Sequence, residues 1–228
     1  MTLDDLQAKI GVTFINTNLL QQAFIHRSHL NESKEFKESN ERLEFLGDAV
    51  LSFITSQYLY TTYPQYPEGT LTNIRSTLVK TKSLGTVASD LGLGSLLLLS
   101  RGEESSGGRI NESLLADCFE ALLGAIFLDQ GIEQAKQFLL THLLYKAETI
   151  IATKSYVDFK SLLQELTQEK LKVSPTYRVT KSEGPDHNKT FWIEVSTGDK
   201  ILGEGVGKSK QDAEQHAAQN ALEKNGDI

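Results

Sequence analysis

Five carboxylates in two short stretches carry the strongest chemical signal in the chain. Glu41, Glu44 and Asp48 recur in the run 40–51, and at roughly 100° per residue the three fall within an arc of about 60° on one helix. Asp117 and Glu120, three residues apart, interrupt the run 116–128, a segment apolar nearly all round that reads as a buried helix. Ionised carboxylates facing a core carry a large desolvation cost unless a cation compensates them. Arg42 is the one basic residue nearby in either stretch. Oxygen donors without His or Cys point to Mg²⁺, which takes a few carboxylates plus water. The plainer alternative is that Glu41 and Glu112 sit in helix first turns, where the dipole favours acid, and that the other carboxylates are solvated or salt-bridged. Spacing alone does not show that the two helices meet.

The elements that must position these groups follow from periodicity. From residue 3 to about 144 the apolar spacing is helical, with helices predicted over 43–60, 74–91 and 113–128. Breaks fall at 63–69, which holds two prolines, at 100–108, read as a flexible loop, and at Gly131, after a helix end. A polar, β-branched connector (149–155) leads to a different pattern: a helix over 159–169, strands over 176–181, 190–195 and 200–206, and a final Ala-rich helix. The expected fold is therefore multidomain, an all-α domain (1–150) followed by a small α+β domain of α-β-β-β-α order (156–226).

Composition bounds the rest. The chain has 228 residues and a net charge of −7, which by itself argues against a polyanion partner. The excess acid is confined to the first part: residues 1–153 hold 12 Lys/Arg against 18 Asp/Glu, and the remainder 11 against 12. The single cysteine, Cys118, lies in an apolar helical run and is read as a packing residue, which fits a reducing compartment. The N-terminus is acidic and the longest apolar runs, 96–99 and 121–128, are far shorter than a membrane span, so a soluble cytoplasmic protein is expected.

The run from Asn40 through Glu44 and Gly47 to Asp48 resembles the signature of the ribonuclease III catalytic domain, as do residues 26–28, 68–72 and 112–121. The resemblance implies a dimeric, Mg²⁺-dependent endoribonuclease, with Mn²⁺ able to substitute, that cuts double-stranded RNA into products with 5′-phosphate and 3′-hydroxyl ends. Its expected role is processing of rRNA precursors and other structured transcripts. By position it makes Glu44, Asp48, Asp117 and Glu120 the metal-binding cluster, with Asp48 and Glu120 closest to catalysis, and Glu41 and Glu68 accessory acids near the subunit interface and cleavage site. Phe45 would project into the partner subunit; ordinary core packing is the alternative. His26 reads either as a general base or as a packed histidine beside a helix start.

Residues 158–165, 184–191 and 203–218 are similar to a double-stranded RNA-binding domain. A-form RNA is read by shape through 2′-hydroxyls and phosphates. Gln164, Glu165 and His187 suit minor-groove contacts, and Lys208 and Lys210 suit phosphates. One departure stands out: Gln211, Asp212 and Glu214 follow Lys210 where many such domains carry further basic residues, so a weak phosphate clamp is expected. A catalytically inactive double-stranded RNA-binding or regulatory protein is the rival reading. Degenerate members would be expected to lose a metal carboxylate, and all four are present.

Overall fold

Two long helices, α4 (Glu41–Thr62) and α8 (Glu112–Leu139), form the axis of the first of two units in the computed structural model, which describes residues 1–185 and 188–224. The units are Met1–Tyr156 and Val157–Ile228. Both long helices bury unbroken apolar faces: Leu43, Leu51, Ile54 and Leu59 on α4, and Phe119, Leu122, Leu123 and Ile126 on α8, are essentially inaccessible. The same core takes in Cys118, fully buried as expected of a packing residue. Burial also pushes its thiol pKa up, which keeps it protonated.

Smaller helices wrap this pair. Helix α1 (Leu3–Ile10) opens on a capping box between Thr2 and Asp5 and closes on a left-handed Gly11. Next come α2 (Thr17–Gln22) and α3 (Arg27–Leu30), the latter capped by the His26 side chain. The expected break at 63–69 is present, with α4 ending at Thr62 and α5 (Glu68–Val79) starting after Pro67.

Two expectations are corrected. The single helix predicted over 74–91 is two, because Lys80 is extended (φ −63°, ψ 147°) between α5 and α6 (Thr81–Leu91). On one continuous helix Ile74 and Leu78 would be rotated by roughly 100° from Leu84, Ala88 and Leu91, and the break lets both sets reach the core. The segment 100–108 is not an irregular loop: Ser100 Oγ caps α7 (Arg101–Ser105) by accepting from Glu103 N. The Arg109 guanidinium donates to the carbonyls of Gly94 (3.0 Å) and Leu97 (2.9 Å) and pairs with Glu104, fastening the stretch in place. In α8 the helical run stops at Gly131 (φ 81°, ψ −173°) and resumes beyond it, ahead of α9 (Lys146–Ala152).

The second unit has the expected α-β-β-β-α order: α10 (Phe159–Leu171), β1 (Thr176–Glu183), β2 (Thr190–Thr197), β3 (Lys200–Gly207) and α11 (Lys210–Lys224). The strands pair antiparallel in the order β1-β2-β3, with Tyr177 opposite Val195 and Ile193 opposite Gly205. Phe159 and Leu163 of α10, Ile193 and Val195 of β2, and Ala213, Ala217 and Ala221 of α11 make its core. Helix α11 rests on bare strand, since a Cβ on Gly205 would stand 2.2 Å from Ala217 N. Among the described residues no helix is long and apolar enough to cross a membrane.

Candidate functional site

The acidic residues meet because two glycines let α4 and α8 touch backbone to backbone. A Cβ on Gly47 would lie 1.8 Å from the Glu120 carbonyl oxygen, and one on Gly124 would lie 2.3 Å from that of Leu43. With no side chain at either position the two helix backbones can come into direct contact, which larger residues would prevent. Glu44 and Asp48, flanking Gly47, are thereby set in the same electrostatic neighbourhood as Asp117 and Glu120.

Their environment penalises charge. Burial, reinforced by Asp48, Asp117 and Glu44, pushes the Glu120 carboxyl up to about 8. Glu44 is raised by burial and then by Asp117, Glu41 and Asp48, while in Asp117 burial is partly offset by nearby His26. Asp48 is exposed. Among the described residues no Lys or Arg forms an ion pair with any of the four. Arg42 pairs instead with Glu38 at 3.9 Å, and Arg27 with Glu41 at 3.7 Å. Nor, among the described residues, do three His, Cys, Asp or Glu side chains already converge in the geometry of a metal centre. The donor set is all-oxygen, anionic and without a protein counter-charge, which fits a hard divalent cation.

This environment has a measurable consequence. A carboxyl raised from 4.5 to about 8 on folding contributes stability fully below its unfolded pKa and loses it as pH rises through the folded value. In EDTA, the melting temperature of the wild type relative to Glu120→Gln is expected to fall between roughly pH 5 and pH 9, and added divalent cation to reverse the fall. A difference that is flat or rises with pH in EDTA would contradict it.

The accessory positions separate. Glu41 is exposed at the start of α4, where it accepts from Ser39 Oγ at 2.8 Å. Glu68 accepts from Thr72 Oγ1 on α5 and lines a different cavity, of about 940 Å³, with Phe53, Tyr60, Tyr66 and Arg75. Phe45 is 81% exposed, so core packing within this chain is excluded for it. Phe53 and Tyr60, also exposed, fall within about 80° of it around α4. Sequence reasoning missed both, as aromatics at helical spacing ordinarily mean core.

In the second unit Gln164 and Glu165 are exposed on α10, and Lys210 is exposed as the first residue of α11. Gln164 shares a cavity of about 230 Å³ with Gln211 and Gln215, so one face carries both helix starts. Lys208 is already engaged: its Nζ donates to Asn188 Oδ1 (3.1 Å) and Thr190 Oγ1 (3.2 Å), and its N–H to Asp212 Oδ2. Of the acids after Lys210, Asp212 accepts from backbone and keeps its exposed charge, while Glu214 pairs with Lys160. His187 lies outside the described residues.

Residues 16–147 match the Ribonuclease-III-like family, and residues 159–225 the double-stranded RNA binding motif. Ribonuclease 3 of Enterococcus faecalis (strain ATCC 700802 / V583) is 48% identical over 96% of this chain and 95% of its own length. The chain belongs to the ribonuclease III family. Another family member, Ribonuclease 3 of Geobacillus thermodenitrificans (strain NG80-2), is 49% identical over 96% of this chain and 89% of its own. The nuclease domain of the Campylobacter jejuni ribonuclease III superposes on 61% of this chain and 94% of that domain, with a TM-score of 0.57 and 39% identity. Membership in the ribonuclease III family implies a divalent metal.

Proposed function

We propose that Glu44, Asp48, Asp117 and Glu120 hold Mg²⁺, with Mn²⁺ able to substitute, and that RNA strands are cut at this crossing of α4 and α8. The chain is an endoribonuclease acting on double-stranded RNA, as its family and its second domain imply. The observation that carries the site assignment is the uncompensated charge: four carboxylates, three of them half-buried, brought together with no Lys or Arg paired to them among the described residues. When bound, the divalent metal supplies an activated water, neutralises the phosphate and stabilises the leaving oxygen. The chain's own contribution is positional. Backbone contact at Gly47 and Gly124 sets the spacing of the two acidic pairs, and burial keeps Glu120 poised to exchange its proton for a cation.

The aromatic stripe of Phe45, Phe53 and Tyr60 supports a two-fold dimer, and the similar Campylobacter jejuni nuclease domain has a structurally flexible region involved in dimer formation. Two such sites act on opposite strands of one duplex and leave 5′-phosphate and 3′-hydroxyl ends. Glu41 and Glu68 remain accessory to this chemistry. The second domain holds the duplex through Gln164, Glu165 and His187 at the minor groove and Lys210 at a phosphate, while Lys208 braces the segment that leads into β2. Precursors of rRNA and other structured transcripts are the natural cytoplasmic substrates.

The two lysines are therefore expected to behave differently. Lys210→Ala should weaken all duplex sequences alike and lower the salt slope by about 1. Lys208→Ala should weaken binding with little change in slope. Fluorescence anisotropy across a salt titration reads both, and a slope insensitive to Lys210→Ala would refute the phosphate contact. The functional reading itself is tested by offering the protein an RNA duplex, a DNA duplex of the same sequence and the single RNA strand, in Ca²⁺ for binding and in Mg²⁺ for cutting. Only the RNA duplex should be both bound and cut; equal treatment of RNA and DNA duplexes would overturn it.

A further inference from the structure

His26 caps α3 through Nδ1, which favours one tautomer of the ring. Its Nδ1 accepts from Ser28 N (3.3 Å) and lies 2.8 Å from Ser28 Oγ. That hydroxyl accepts from Ser100 N at 2.9 Å, and its own proton can be donated to Nδ1. With Nδ1 accepting from Ser28 N, the neutral ring carries its proton on Nε2. The backbone is fixed as well, since His26 N donates to Leu98 O (3.1 Å) and Leu98 N to Phe24 O (2.8 Å). Holding the ring thus takes two separate segments of chain, 24–28 and 98–100.

Nε2 has no hydrogen-bonding partner among the described residues, yet the half-exposed ring lines a cavity of about 310 Å³ together with Arg27, Glu44 and Asp117. Among the described residues no hydrogen bond or ion pair joins His26 to Asp117. A nitrogen that carries a proton neither ligates a metal nor takes a proton from water, so neither ligand nor general base describes this arrangement. It is a fixed donor, beside Arg27, in a cavity whose other wall is anionic. The partner that suits a donor next to an acidic cluster is an oxygen of the strand being cut.

We infer that His26 Nε2–H donates to a backbone oxygen of the RNA strand next to the acidic cluster, with Ser28 and Ser100 as the residues that position it. The inference rests on that cluster being where RNA is cut.

Two amide variants separate this from a packing role. Asn places its amide near Nδ1 and is a good helix N-cap; Gln places its amide near Nε2. His26→Asn should keep the melting temperature, weaken binding of a perfect RNA duplex in Ca²⁺ about five-fold, the worth of a hydrogen bond, and raise KM with kcat nearly unchanged in Mg²⁺. His26→Gln should stay close to wild type in binding. Duplexes bearing 2′-fluoro groups identify the acceptor: a His26→Asn penalty that vanishes on them assigns a 2′-hydroxyl, and one that persists assigns a phosphate oxygen. Binding by His26→Asn at wild-type strength, equal loss in both variants with a lowered melting temperature, or a fall in kcat at constant KM would overturn the inference. Failure of the wild type itself to bind and cut the duplex would instead sink the reading of the site on which it rests.

Discussion

Glu120→Gln is expected to slow cleavage of an RNA duplex by at least about 100-fold, as for loss of a group that stabilises developing charge, while affinity for the duplex in Ca²⁺ stays within about two-fold. The substitution keeps size and shape and removes one anionic oxygen donor from the cluster proposed to hold a cation. Glu120 sits deepest of the four, its carboxyl pushed up by burial and by all three neighbours, so its charge is the one most dependent on metal for compensation. Gln164, Glu165 and Lys210, proposed to bind the duplex, belong to the other unit and are untouched. Asp48→Asn should follow the same pattern. Gel-based cleavage in limiting Mg²⁺ reads the first effect and anisotropy the second; cutting at near wild-type rate would refute the assignment.

Gly47→Ala is expected to be nearly as damaging to cleavage without touching a functional side chain. The new methyl would stand 1.8 Å from the Glu120 carbonyl oxygen, a backbone atom that cannot swing away. To restore ordinary contact, α4 and α8 must part by on the order of 1.5 Å. Overpacking a core costs about 1–3 kcal/mol where side chains can adjust, and here only helix displacement is available, so urea unfolding should show a loss at or above the top of that range. The displacement also carries Asp117 and Glu120 away from Glu44 and Asp48, and about 1 Å of misplacement is enough to cost about 100-fold in rate. Gly124→Ala, against Leu43 O at 2.3 Å, should resemble it. Near wild-type stability and activity in Gly47→Ala would show that the helix contact does not set the site.

Much of this was legible in the residues. Local rules reach local features: the helix stop at Pro64 and Pro67, the alternating runs of β1 to β3 and the acidic arc on α4 depend on neighbours in sequence. The break at Lys80 was not legible, because it answers to where the core lies rather than to any breaker residue. Helix α7 was missed since glycines and serines dominate 100–108, although Ser100 three residues before Glu103 is a capping signal. That α4 and α8 touch could not be read from spacing; the glycines at 47 and 124 hint at it only once the helices are known to cross. The partners of the acids after Lys210 were not legible either, because Asp212 accepts from Lys208 N and Glu214 pairs with Lys160, which lies on another element.

A divalent metal held by the carboxylates of α4 and α8 is proposed to support the cutting of double-stranded RNA. The most direct test is incubation of the protein with a long, perfect RNA duplex in Mg²⁺ or in EDTA, followed by analysis of product length and end groups. In Mg²⁺ the products should be short duplexes with 5′-phosphates and 3′-hydroxyls, and in EDTA the substrate should remain whole. An intact duplex in Mg²⁺, or cleavage that persists in EDTA, would rule out metal-dependent cutting at this site.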